Sequence, residues 1–263
     1  MRVGRCYGGT EWLATVATLR DRAIQDCNGT SSKSPCGRGE MIYRVKQFSI
    51  VLITLISIAG VALSTQKTQA AESTQAEDSF RQASTRLQQG NFQGAIQAFD
   101  QVIELNPDYM EAYCERGLAY ALLGDYQEAI EGFRQAIEID PNHVDAYARW
   151  GTALASVGDL QGAIEKFDEA LQLDSNFVDA YYNRGLAYYS LNNFERAVED
   201  FTQVIQRDST LAQAYGRRGL AYNALNNRSA AISDLQQAAT LFQQQGDQVG
   251  YQQTLSLIQI IQR

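Results

Sequence analysis

One interval governs what this chain can fold into. The segment MEAYCERGLAYALLGDYQEAIEGFRQAIEIDPNH from Met110 aligns without gaps on VDAYARWGTALASVGDLQGAIEKFDEALQLDSNF from Val144. Two further copies start at Val178 and Ala212, so the period is 34 residues throughout. A weaker copy starts near Ala76 and contains LQQGNFQGAIQAFDQVIELNP. Self-similarity at this period means two short helices per unit, each unit burying a face only against its neighbours. A single globular centre is excluded.

The columns have physical roles. Tyr113, Tyr147, Tyr181 and Tyr215 stand near each first-helix start, and Gly117, Gly151, Gly185 and Gly219 follow four residues later on the same helix face. A helical glycine costs roughly 0.5–1 kcal/mol relative to alanine, so four in register need an offsetting gain, here the close approach of the paired helix. The second helices carry a small column (Ala95, Ala129, Ala163, Ala197, Ala231) and a large one (Phe99, Phe133, Phe167, Phe201, Leu235), which suits interdigitating layers. Gly90, Gly124 and Gly158, then Asn192 and Asn226, are placed to stop the first helices in a left-handed turn. In the weak first copy Ser79, Gln82 and Arg86 replace conserved-looking bulk, as the polar outer face of an end cap would require.

In these columns the chain resembles the tetratricopeptide repeat (TPR) family over about residues 76–246. The resemblance implies an all-α, right-handed solenoid of about five helix-turn-helix repeats (near 76–109, 110–143, 144–177, 178–211 and 212–245), with a non-enzymatic role in protein–protein interaction. The remaining chain divides into an extension (1–40), a signal peptide or membrane anchor (41–70), a polar linker (71–78) and a C-terminal capping helix (247–263). In that last helix Tyr251, Leu255, Ile258 and Gln262 form one stripe, flanked by Thr254 and Ile261. Leu257 and Ile260 lie off the stripe, open to a second use in weak self-association.

The export reading rests on Phe48–Leu63, an uncharged run of 16 residues behind Arg44 and Lys46. As a helix it would reach about 24 Å, short of a ~30 Å hydrocarbon core, and Thr68-Gln69-Ala70 ends in the small residue that a signal peptidase accepts. Export to the periplasm or an equivalent space such as a thylakoid lumen follows. The alternative is an uncleaved anchor at residues 48–63. Forty residues precede Met41, so translation from Met41 and a long tail before the apolar run are both open.

Charge and residue usage exclude several activities. Residues 1–70 hold nine Lys or Arg against four Asp or Glu; residues 71–263 hold 13 against 26, with Lys166 the single lysine. Such an acidic body is unsuited to neutralising phosphates, so no nucleic acid partner is expected. One histidine, His143, leaves no His-rich metal site, and no phosphate loop, HExxH pair or GxSxG elbow occurs. No catalytic residue, metal or cofactor is expected.

Function is therefore sought on the first helices. The resemblance implies a concave groove lined by the positions off the packing columns: Glu111, Asp145, Asp179 and Gln213; Glu115, Arg149, Asn183 and Arg217; and an apolar anchor at Tyr182 and Leu186. The family's carboxylate clamp uses lysines, arginines and asparagines on this wall. Here lysine is absent and Glu111, Asp145 and Asp179 each precede Glu115, Arg149 and Asn183 by one turn, which disfavours an acidic tail. The expected partner is a neutral or basic protein segment, extended or helical. Two alternatives stand beside such a scaffold: a membrane-anchored assembly factor for a photosynthetic or envelope complex, and an adaptor recruiting an enzyme such as a peptidase.

Overall fold

The computed structural model describes residues 73–263, which form eleven helices and no strand. The helices are α1 (73–88), α2 (Phe92–Leu105), α3 (Met110–Leu123), α4 (Tyr126–Ile139), α5 (Val144–Ser156), α6 (Leu160–Leu173), α7 (Val178–Ser190), α8 (Phe194–Arg207), α9 (Ala212–Ala224), α10 (Arg228–Gln244) and α11 (Gln248–Gln262). Each helix packs on the one before and the one after, and the first helices of neighbouring repeats also touch (α3 with α5, α5 with α7, α7 with α9). This single-file stacking is a TPR-like solenoid. Residues 1–72, with the export or anchor segment and the choice of start codon, lie outside the described residues.

The linker expected at 71–78 is not one over its described part. Residues 73–78 are the first turns of α1, and Ala76 is fully buried in the same cluster as Phe99. The polar run AESTQAED hid this because an end helix needs only a thin apolar edge. Along α1 that edge is Ala76, Ala83 and Leu87, with Phe80 tilted against Phe99 at 5.6 Å.

Two kinds of turn alternate. Within each repeat a left-handed residue is followed by a helix cap. Gly90, Gly124 and Gly158 have φ of 76°, 88° and 88°, and Asn192 and Asn226 both have 61°. The next residue opens the second helix, with Asn91, Asp159, Asn193 and Asn227 accepting from the backbone N–H three residues on. Between repeats the chain uses Asx turns instead: Asn106, Asp140, Asp174 and Asp208 accept from the N–H two residues on, at 2.9–3.1 Å. This turn survives where Ser175 and Ser209 stand in the place of Pro107 and Pro141, because the Asx side chain shapes it.

The junction before α11 breaks the alternation. Gly246 is left-handed at φ 77° and Asp247 caps α11 through Gly250, the turn otherwise found inside a repeat. This junction and the 17-residue α10 bring α11 back with a different rotation from a regular first helix. Its buried face is Thr254, Ile258 and Ile261, while Tyr251 and Leu255 are half-buried on the flank and Gln262 is exposed. The stripe expected from sequence is therefore turned by about 60°, toward the flank of Thr254 and Ile261. Leu257 is packed against the Leu235 cluster, not open; Ile260 is open.

The close approach that the glycines implied is direct. A Cβ built on Gly151 would lie 2.7 Å from Phe167 Cε1; on Gly185, 2.9 Å from Phe201 Cε1; on Gly117, 3.0 Å from Phe133 Cε1. Each phenylalanine is at most 1% exposed and belongs to its own successive cluster. Phe133→Ala is expected to cost about 3–5 kcal/mol by leaving a cavity, and Gly151→Ala about 1–3 kcal/mol by overpacking. Both would appear as shifts in urea midpoint.

Candidate functional site

Because the first helices touch one another, their outward positions form one continuous wall. Glu111, Asp179, Gln213 and Arg217 are exposed on it, and Asn183 is half-buried. Among the described residues none of these five side chains makes a hydrogen bond or an ion pair. Glu115, Asp145 and Arg149 are brought together: Arg149 Nε lies 2.5 Å from Asp145 one turn before it, and Nη1 3.4 Å from Glu115 on the preceding repeat. The cluster carries one net negative charge, and Arg149 is not a free cation. At such partly exposed sites the pairs contribute only about 0.2–1 kcal/mol to stability each.

The apolar anchor is real but partly spent. Tyr182 meets Phe201 edge-on at 5.8 Å, and both Tyr182 and Leu186 are half-buried around the Phe201 cluster. Their outer edges face the wall while their inner edges hold the repeat. Cys114, the equivalent of Tyr182 two repeats earlier, is only 3% exposed, and burial pushes its thiol up to about 12. It offers neither a nucleophile nor a metal ligand. No group of three His, Cys, Asp or Glu among the described residues is arranged to hold a metal ion. His143 caps α5, its Nδ1 accepting from Ala146 N at 3.1 Å. No helix among the described residues is long and apolar enough to cross a membrane.

Sequence reasoning missed where most of the other basic side chains go. The residue before each column glycine (Arg116, Trp150, Arg184, Arg218) points toward the second helices. Arg184 grips Asp200 of its own repeat at 2.6 and 2.9 Å and also pairs with Asp168 of the preceding one. Arg218 holds Asp234 at 2.7 and 2.8 Å and reaches back to Thr202. Arg116 reaches back to Asp100 at 2.6 Å. Burial opposes the charge on Arg184, yet its two carboxylates keep it protonated above the ordinary arginine range; burial pushes the Asp200 carboxyl up against the pull of Arg184.

The third repeat inverts this rung. The flanking places hold cations, Arg134 behind and Lys166 ahead, and the central residue is the aromatic Trp150, with Lys166 Nζ 4.5 Å from its ring centroid. A guanidinium there would face two like charges; an indole face attracts one. The signal was in the sequence as matched changes 16 residues apart, Arg184 with Asp200, Arg218 with Asp234 and Trp150 with Lys166.

With fold and wall described, the likeness to known proteins becomes specific. Tetratricopeptide repeat models match residues 80–144, 178–211 and 212–245, and a TPR repeat model matches 151–192. The chain carries tetratricopeptide repeats. Its TPR body is similar to a crystal structure of MamA at 27% identity and a TM-score of 0.59, covering 62% of this chain and 96% of that one. It also resembles YrrB, described as a TPR protein with an unusual peptide-binding site (22% identity, TM-score 0.56, 68% and 90% covered). PilW, described as a type IV pilus biogenesis factor, matches in fold at 15% identity and a TM-score of 0.57, with 70% and 92% covered. No curated protein matches the chain in sequence. A TPR scaffold of this kind is suited to protein–protein interaction.

Two outcomes check this description. Trp150→Arg and Lys166→Asp should each lower the melting temperature, while the double variant, which recreates the Arg–Asp pair, should recover at least about 1 kcal/mol of the summed loss in a double-mutant cycle. Cys114 should stay unreactive toward an aromatic disulfide reagent at neutral pH until the protein unfolds. Its raised folded pKa means that the thiol contributes stability fully below the unfolded value of about 8.5, and that this contribution is lost as pH climbs toward about 12.

Proposed function

We propose that this protein is a non-catalytic scaffold whose first-helix wall forms a concave groove for a neutral or basic protein segment. The observation that carries the reading is the set of unpaired polar groups around a half-buried apolar anchor: Glu111, Asp179, Gln213 and Arg217 beside Tyr182 and Leu186. With Arg149 neutralised by its own neighbours, the early part of the wall is acidic and, among the described residues, its one open cation, Arg217, stands in the last repeat. A segment with lysine or arginine ahead of an apolar residue would complement that order; an acidic tail would be repelled. The likeness in fold to YrrB, described as having an unusual peptide-binding site, is compatible with peptide binding by a repeat body of this kind.

The proposed location is extracytoplasmic, by export through residues 41–70. Retention of residues 48–63 would make the same scaffold a membrane-anchored assembly factor for a photosynthetic or envelope complex, and recruitment of a peptidase or other enzyme would make it an adaptor. N-terminal sequencing of the mature protein separates the exported form from the anchored one.

The groove itself is tested with a displayed library of unstructured peptides. Enriched sequences should carry Lys or Arg near an aliphatic or aromatic residue. Glu111→Lys with Asp179→Lys, both on exposed side chains, should weaken the best of them roughly tenfold at unchanged melting temperature. Enrichment of acidic peptides, or indifference to the double change, would overturn the reading.

A further inference from the structure

The two ends of the solenoid differ in chemistry. At the N-terminal end α1 presents Glu77, Asp78 and Arg81 to solvent. At the other end α11 (QVGYQQTLSLIQIIQ) carries no charged side chain between its caps Asp247 and Arg263, although residues 71–263 hold twice as many acids as bases. Its outward ridge is Val249, Gln253, Ser256 and Ile260, all exposed and about 140° around the helix from the buried Thr254, Ile258 and Ile261. Val249 and Ile260 are 67% and 65% exposed, the highest values among the large apolar side chains described. Eleven residues apart, they fall on the same side of the helix within about 20° and about 16 Å from each other.

We propose that this ridge is a homodimer interface in which two copies pair their α11 helices antiparallel about a two-fold axis. A second copy is the occupant that the features select. Copies of an acidic protein repel one another wherever like-charged faces meet, and the ridge from Val249 to Ile260 is free of charge between Asp247 and Arg263. The ridge is also self-complementary under a two-fold. Its centre falls between Gln253 and Ser256, so Val249 of one copy meets the partner's Ile260, twice, while the short Ser256 permits close approach and the glutamines can exchange amide hydrogen bonds. A head-to-tail contact would instead seat Val249 and Ile260 against the charged outer face of α1, so the assembly closes at two copies. The pairing leaves the first-helix wall of α3–α9 unused and does not depend on what binds there.

Sedimentation of the full chain over a range of concentrations tests the proposal. The mass should rise with concentration and level off at two copies. Val249→Lys and Ile260→Glu should each keep the wild-type melting temperature and stay monomeric over the same range. The double variant should recover the dimer, because antiparallel pairing sets each lysine against the partner's glutamate. A wild-type chain that stays monomeric, a mass that grows beyond two, or single variants that still pair would overturn the interface. Failure of the double variant to recover would overturn the antiparallel arrangement.

Discussion

The contact between a helical glycine and the phenylalanine of the facing helix sets the geometry of every repeat after the first. Where a side chain would come within 2.7–3.0 Å of the ring, only hydrogen fits, so the paired helices approach closely enough to exclude water from Phe133, Phe167 and Phe201. The helical cost of glycine is offset by the burial of a whole aromatic ring, worth several times as much. In the last repeat a Cβ built on Gly219 would lie 3.1 Å from Leu235 Cγ, so the same logic holds with a branched aliphatic side chain. Once the spacing inside a repeat is fixed, the Asx turns fix the spacing between repeats, and the stack follows.

That spacing decides which side chains are left for function. The arginines before the glycines are drawn between second helices and tied to Asp100, Asp168, Asp200 and Asp234, so they brace the stack. Arg149 stands on the wall but is taken up by Asp145 and Glu115. What remains outward is a short set of unpaired groups, and their order gives the wall an acidic early part and a basic late position. Charge is thus left open on the wall only where no neighbouring residue has claimed it.

The ends of the stack obey a different rule from its middle. A middle repeat has two neighbours and a fixed rotation; an end helix has one and is free to turn. At α1 the consequence is a thin apolar edge under a polar surface, which made residues 73–78 look like a linker. At α11 the consequence is a rotation, after the Gly246–Asp247 turn, that buries Thr254, Ile258 and Ile261, leaves Leu257 half-buried and keeps Val249 and Ile260 in the open.

The period, the glycine and aromatic columns and the left-handed turn residues were enough to determine the TPR fold, the paired-helix contacts and the identity of the buried rings. Those features repeat, and repetition ties a residue's role to its place in the unit. Spacing offered the candidate pairs, Asp145 with Arg149 one turn apart and the matches 16 residues apart, but not which of them form. Whether Arg149 also reaches Glu115, whether Cys114 faces the wall or the interior, why Trp150 stands in a row of arginines, and how α11 is turned all depend on which side chains from different repeats meet across a seam. Those are questions of distance in three dimensions, and single-file packing of one repeat on the next answered them.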